Sequence, residues 1–339
     1  MTPFNQLSLD LSRTVLTAAV AALVVTLIAG PTTIRCLKRR FRERIVTDSA
    51  RLNELHASKK NTPTMGGLMI IGAVLVGALP HVRFNMAATW LILYVTLALM
   101  ILGAYDDWIK LKTQRKGLTV RQKFVAQVVI GVIAATWLVL IRESAGANSS
   151  SVPSIFERLL SSRWFFILWG TLVIVGSSNA VNLTDGLDGL AAGCTAITGT
   201  ALTITILRLA DASSTTCPEA AIFSAALSGS AIGFLFFNKH PARLFMGDAG
   251  SLPIGGLLAI IALCCHVELT LLIAGTVFVV ETLSVILQVF WYRRTGQRIL
   301  LCSPLHNHFV FQGRREPRIV AAFWSAAAMC SVIGVLLAA

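Results

Sequence analysis

NAVNLTDGLDGLA, residues 179–191, lies between two runs apolar enough to sit in a lipid bilayer. Asn179, Asn182, Asp185 and Asp188 recur in it every third residue, with Gly186 and Gly189 among them. Residues three apart are neighbours on a helix, yet two glycines argue against one continuous helix. A broken or tightly turned segment converges the four polar side chains on one pocket. It also frees backbone N–H groups to hold an anion or a ribose. Helix capping accounts for one or two such residues; four between 179 and 188 exceed what two helix ends need.

The flanks of this stretch decide the fold class. The chain has 339 residues, 55% of them hydrophobic and 13% charged, with a mean hydropathy of +0.74. Soluble domains carry about a quarter charged residues, so the composition is that of an integral membrane protein. Ten stretches approach the roughly 20 mostly apolar residues a spanning helix needs. They lie near 12–30, 64–80, 88–104, 122–141, 163–181, 189–208, 219–236, 251–265, 269–290 and 319–338. The expectation is an all-α polytopic membrane protein with about ten transmembrane helices. No polar segment is long enough for a separate soluble domain, so residues 1–339 read as one membrane domain with cytoplasmic loops. The first run reads as a retained helix: its leading region is nearly uncharged, and Pro31 opens a basic loop instead of a cleavage site. The seven cysteines have no zinc-type spacing and read as small apolar side chains.

Lys and Arg orient the helices. Of the 29, 23 fall in the loops of one face, at 31–63, 105–123, 237–250 and 291–318. That face is assigned to the cytoplasm, which puts both termini outward, in the periplasm. The net charge of +13 is thereby explained by anionic headgroups and cytosolic anions, with no role for nucleic acid.

The unusual polar residues share that face. Asp106 and Asp107 in GAYDDWIK (103–110) close the third span. Adjacent carboxylates repel unless a cation or proton holds them, although Lys110 follows Asp106 at i,i+4 and offers an ordinary ion pair. MGDAGS (246–251) leads into the eighth span, placing Asp248 beside helix N-terminal amides, and Phe245 is available to stack on a base. SPLHNHFVFQGRREPRIV (303–320) holds His306 and His308 with Arg314, Arg315 and Arg318, a set suited to metal or, with three arginines, to diphosphate. KKNTPTMGG (59–67) is a basic, glycine-containing lead into the second span. Carboxylates with Mg²⁺ and basic side chains neutralise a diphosphate undergoing phosphoryl transfer, and hard oxygen ligands favour Mg²⁺ over zinc. The residues by themselves describe a Mg²⁺-dependent enzyme joining a cytosolic diphosphate compound to a lipid.

TPTMGG (62–67), DDWIK (106–110), KGLTVRQK (116–123), NAVNLTDGLDGLA, FMGDAGSLPIGG (245–256), VETLSVILQ (280–288) and PLHNHF (304–309) occur in that order. Together they resemble the phospho-N-acetylmuramoyl-pentapeptide transferase family over residues 50–325. The resemblance implies a bacterial inner-membrane enzyme, usually a homodimer, with its site on the cytoplasmic face. It would transfer phospho-MurNAc-pentapeptide from UDP-MurNAc-pentapeptide to undecaprenyl phosphate, giving lipid I and UMP. By motif, Asp248 is the Mg²⁺ ligand, and Asp106 and Asp107 lie near the lipid phosphate, Asp107 as base or second metal contact. His308 joins this catalytic set. Lys60, Lys110, Lys123, Asn179, Asn182, Asp185, Asp188, Phe245, Gln288 and His306 are the implied substrate-binding residues. Three positions depart from the family pattern: Asn307 replaces the middle of three histidines, Val310 an acidic residue, and Ala322 an arginine. Two other readings stay open. One is a sister enzyme transferring an N-acetylhexosamine 1-phosphate to the same lipid. The other is a secondary transporter, for which Glu281, inside the ninth span, is the one strong feature.

Overall fold

A computed structural model describes residues 3–40, 62–113, 117–144, 162–209 and 217–338. Among these the chain is helical, with no strand. In order the helices are α1 (Pro3–Arg40), α2 (Gly67–Ala78), α3 (Ala87–Lys112), α4 (Val120–Ser144), α5 (Arg163–Thr184) and α6 (Leu190–Leu209). They continue with α7 (Cys217–Asn238), α8 (Asp248–Cys265), α9 (Glu268–Ala274), α10 (Thr276–Thr295), α11 (Leu305–Phe311) and α12 (Glu316–Leu337). Nine of the described helices are long and apolar enough to cross a membrane.

Two expected spans take a different form. The second is a 12-residue helix, α2, whose lead-in and first residue pair through their backbone with 245–246. Phe245 N–H donates to the Pro63 carbonyl (2.8 Å), Gly66 N–H to Phe245 (2.8 Å), and Gly67 N–H to Met246 (2.9 Å). The ninth, expected at 269–290, breaks at Gly275 into α9 and α10. Glycine is the weakest non-proline helix former, and a uniformly apolar run conceals such a break. Beyond it α10 stands off the bundle, with Leu283, Ile286, Leu287 and Phe290 each more than half exposed.

The pillar of the fold is α8. Almost all of it is buried, and it packs chiefly on α3 and α5. Small residues let the backbones close in, as membrane helices require in the absence of a hydrophobic drive between them. A side chain on Gly103 of α3 would come within 2.0 Å of the Asp248 carbonyl oxygen, and one on Gly67 within 2.0 Å of Gly250 Cα. These two contacts bring the cytoplasm-assigned ends of α2, α3 and α8 to one point. The turn between α5 and α6 arrives beside them.

Candidate functional site

The carboxylates of Asp106 and Asp107 occupy the last turns of α3, and that of Asp248 begins α8. All three residues are buried, at 3%, 4% and 8% exposure, and each offers an oxygen within 4.8 Å of the others. The expected surface pair between Asp106 and Lys110 is therefore something else. Lys110 Nζ reaches Asp106 (2.8 Å), Asp248 (2.9 Å) and Asp107 (3.5 Å) together. Lys123, in the first turn of α4, adds an ammonium 2.6 Å from Asp248 and 3.9 Å from Asp106. Asn182 Nδ2 closes the ring, donating to Asp248 Oδ1 (2.7 Å) and Ser251 Oγ (2.8 Å).

Backbone amides fix two of these acids. Leu118 N–H donates to Asp106 (2.6 Å) and Ala249 N–H to Asp107 (3.0 Å). The second contact changes the expectation for MGDAGS. Helix α8 begins at Asp248 itself, with Gly247 as its cap at φ 72°. Its first-turn amides serve Asp107 and the Gly247 carbonyl instead of standing open for an anion. Oxygen donors from three carboxylates around one concentrated positive charge are the set a divalent cation such as Mg²⁺ prefers.

Asn179 does not point into this ring. Its Nδ2 donates to Gln127 Oε1 (3.0 Å) and to the Val175 carbonyl (2.8 Å). Gln127 in turn donates to Ser178 Oγ (3.1 Å), which donates to the Leu252 carbonyl (3.1 Å). This buried chain ties α4, α5 and α8 together directly beneath Asn182. Neither Gln127 nor Ser178 was picked out from sequence, though Gln127 sits one turn from Lys123 and so shares its face.

The DGLDG turn forms a second cluster. Asp188 Oδ2 meets His240 Nδ1 (3.1 Å) and accepts the Ala242 N–H (3.0 Å), while its own N–H donates to Glu316 (2.6 Å). Gly189 N–H donates to Asn238 (3.0 Å), and Trp324 Nε1 to the Gly189 carbonyl (3.2 Å). Asp185 and Phe245 are each partly exposed. Asn238 at the end of α7, His240 in the loop after it and Glu316 at the start of α12 are further residues that sequence reasoning missed; their neighbours are apolar or basic, and no spacing marks them.

The two histidines do not converge. His306 is buried against Glu281 at the start of α11. His308 is half-exposed, taking Leu301 N–H on Nδ1 (3.1 Å) and meeting Gln312 through Nε2 (2.9 Å). Gln288 braces the same loop, with its oxygen on Ile299 and Leu300 N–H and its amide on the Leu300 carbonyl. Burial raises the Cys302 thiol beside them above its ordinary range, which keeps it protonated and a poor nucleophile. Lys60 lies outside the described residues. An apolar cavity of about 260 Å³ runs between α5, α8, α9 and α10; Ala180 and Val181 line it, next to Asn182, and Glu268 borders it.

A family model described as Glycosyl transferase family 4 matches residues 89–266, more than half of the chain. A second, Phospho-N-acetylmuramoyl-pentapeptide-transferase signature 1, matches residues 59–71, the basic lead into α2. Curated relatives named phospho-N-acetylmuramoyl-pentapeptide-transferase cover almost the whole chain. One from Granulibacter bethesdensis is 41% identical over 331 residues, 94% of this chain and 90% of its own. One from Halalkalibacterium halodurans is 40% identical over 333 residues, 96% and 98%. One from Ruegeria pomeroyi is 40% identical over 291 residues, 83% and 81%.

Proposed function

This chain belongs to the phospho-N-acetylmuramoyl-pentapeptide transferase family, and on that premise we propose how its residues carry out the family's reaction. The protein transfers phospho-MurNAc-pentapeptide from UDP-MurNAc-pentapeptide to undecaprenyl phosphate, yielding lipid I and UMP. The observation that carries the mechanism is the ring of Asp106, Asp107, Asp248, Lys110, Lys123 and Asn182, three acids sharing two ammoniums at the membrane edge.

A phosphate oxygen of the lipid attacks the sugar-bearing phosphorus of the diphosphate. The bond to the UMP oxygen breaks, and UMP leaves with that electron pair. Both reactants are anions, so their approach is the main obstacle. Lys110 and Lys123 offset this charge, and Asn182 and the Gln127–Ser178 chain hold Asp248 still while they do. The lipid phosphate, with its second pKa near 6, is already largely dianionic at pH 7. Asp107 is therefore asked chiefly to position the nucleophile and only secondarily to accept a proton. Mg²⁺ held by Asp248, with Asp106 and Asp107 adjacent, would supply Lewis-acid neutralisation of the diphosphate.

The DGLDG turn, with Asp185 and Asp188, seats the nucleotide-sugar; Phe245 packs on the uracil, and Lys60, His306, His308 and Gln288 complete the set. Asn179 acts through Gln127. The apolar cavity beside Asn182 is the right chemistry for the first isoprene units of the prenyl chain. The same reading puts the single membrane domain in the bacterial inner membrane as a homodimer, site to the cytoplasm, supported by the crowding of Lys and Arg on that face.

UMP release by the purified protein tests this, given undecaprenyl phosphate with either UDP-MurNAc-pentapeptide or UDP-GlcNAc, with Mg²⁺ or with chelator. Release from the muramoyl substrate alone, abolished by chelator, is the expected result. Release from UDP-GlcNAc alone would move the chain to the sister hexosamine enzymes, and release from neither would overturn the reading.

A further inference from the structure

Glu281 and His306 are buried at 0% and 1% exposure, yet neither belongs to the aspartate ring. Glu281 lies on α10, the arm beyond the Gly275 break. Its carboxylate accepts the backbone N–H of His306 (3.1 Å) and stands 3.1 Å from His306 Nδ1. The first amides of a helix lack partners within it, so one carboxylate both caps α11 and orients the ring. A carboxylate at Nδ1 keeps the proton on that nitrogen.

The opposite nitrogen, Nε2, is buried and has no partner among the described residues. It abuts Gly186: a Cβ built there would lie 2.2 Å from Nε2. Gly186 itself is exposed on its other side. The turn that presents Asp185 and Asp188 is thus one residue thick, with the imidazole directly beneath it. A chain of contact runs from Glu281 through His306 to this turn without touching the acids of the ring.

We propose that Glu281 is a positioning residue for the transfer reaction: acting through His306, it fixes the height of the Asp185–Asp188 turn on which the nucleotide-sugar is seated. This rests on the assignment of that turn to the nucleotide-sugar made above. It gives a role to the intramembrane acid that otherwise reads as a transport residue. It also accounts for glycine at 186, where any side chain would strike the ring.

The test uses the full chain in nanodiscs and the variants Glu281→Gln, Glu281→Ala, His306→Ala, Gly186→Ala and Gly186→Ala/His306→Ala. KM is measured for each substrate separately, with kcat and the melting temperature. Glu281→Ala and His306→Ala should raise KM for UDP-MurNAc-pentapeptide about 10–100-fold, leave KM for undecaprenyl phosphate within about twofold, and combine without adding. Glu281→Gln, with one acceptor oxygen instead of two, should fall between. Gly186→Ala should be impaired alone but add nothing to His306→Ala, because the ring its methyl meets is gone.

Three results would overturn the proposal: equal changes in both KM values, a lower melting temperature with unchanged kinetic constants, or additive effects of Gly186→Ala and His306→Ala. If the wild-type protein released no UMP at all, the reading of the reaction would fall, and this inference with it.

Discussion

The two ends of the helix bundle both hold buried or half-buried charges, but they balance them differently. At the end assigned to the periplasm two acids each take a base of their own. Arg83 grips Glu219 with two hydrogen bonds of 2.7 and 3.2 Å, and Arg163 grips Glu143 at 2.7 Å with each carboxylate oxygen. At the other end three buried carboxylates share two lysines, and Lys110 serves all three. Paired charges hold a structure together; a surplus of like charge at a membrane edge opposes it. Such a surplus persists where chemistry needs it. The imbalance, more than the number of acids, distinguishes a site from a staple.

Asp248 is where the comparison is most easily broken. It takes contacts from both lysines and from Asn182. Asp248→Asn should lower turnover by about 10³-fold, the size expected when a main electrostatic contact to a transferring phosphoryl group is lost. Because its contacts to two lysines and Asn182 and its repulsion from Asp106 and Asp107 oppose each other, the melting temperature should change little. UMP release and thermal unfolding of the same preparation decide it. A melting temperature that falls in step with activity would mean that Asp248 is a staple like Glu219.

Asp107 sharpens the same contrast. One of its oxygens is occupied by Ala249 N–H and the other faces Lys110 at 3.5 Å, the loosest of the three lysine contacts. An asparagine in its place can keep the amide contact but neither charge nor basicity. Asp107→Asn should reduce turnover about 10²-fold, the lower range for loss of a general base, while UDP-MurNAc-pentapeptide binding measured by calorimetry stays intact. A loss confined to binding would remove Asp107 from the reacting phosphates and assign it to the nucleotide-sugar.

Much of this imbalance could be read before any coordinates. Acids spaced through Asp106, Asp107, Asp185, Asp188 and Asp248 all fall at helix ends on one face, because hydropathy fixes where helices end and lysine counts fix the face. What sequence could not supply was direction. Asn179 and Asn182 are one step apart in the same three-residue ladder, yet one faces Gln127 and the other Asp248, since the last turn of α5 meets α4 and α8 on different sides. His306 and His308 look like a pair in the chain and diverge in space, because a short helix sends alternate residues to different faces. Glu281 stands as the one feature favouring the rival transport reading because its partner lies 25 positions away, and the α10 arm that carries it starts at a Gly275 break that an apolar run does not announce. Each case concerns which neighbour a side chain meets, information that periodicity carries only when helices are regular and their partners known.

The outer pair supplies the control. Glu219 is 1% exposed and Arg83 sits in the loop between α2 and α3, half-exposed; hydrogen bonding to Glu219 raises the Arg83 guanidinium above its ordinary value. Arg83→Ala strands a buried carboxylate. Truncating one partner of a fully buried pair costs about 3–5 kcal/mol, and solvent around Arg83 should reduce this to about 2 kcal/mol. Replacing both, as Arg83→Met/Glu219→Leu, should restore stability to within about 1 kcal/mol, since no charge is left unpaired. Turnover per folded molecule should stay within about twofold in both variants, as expected for sites with no shared partners. Unfolding curves with UMP release on the surviving fraction test all three statements. If Arg83→Ala slowed turnover while the protein remained folded, charge at the outer end would be coupled to the aspartate ring, and one-to-one pairing would no longer mark a residue as structural in this bundle.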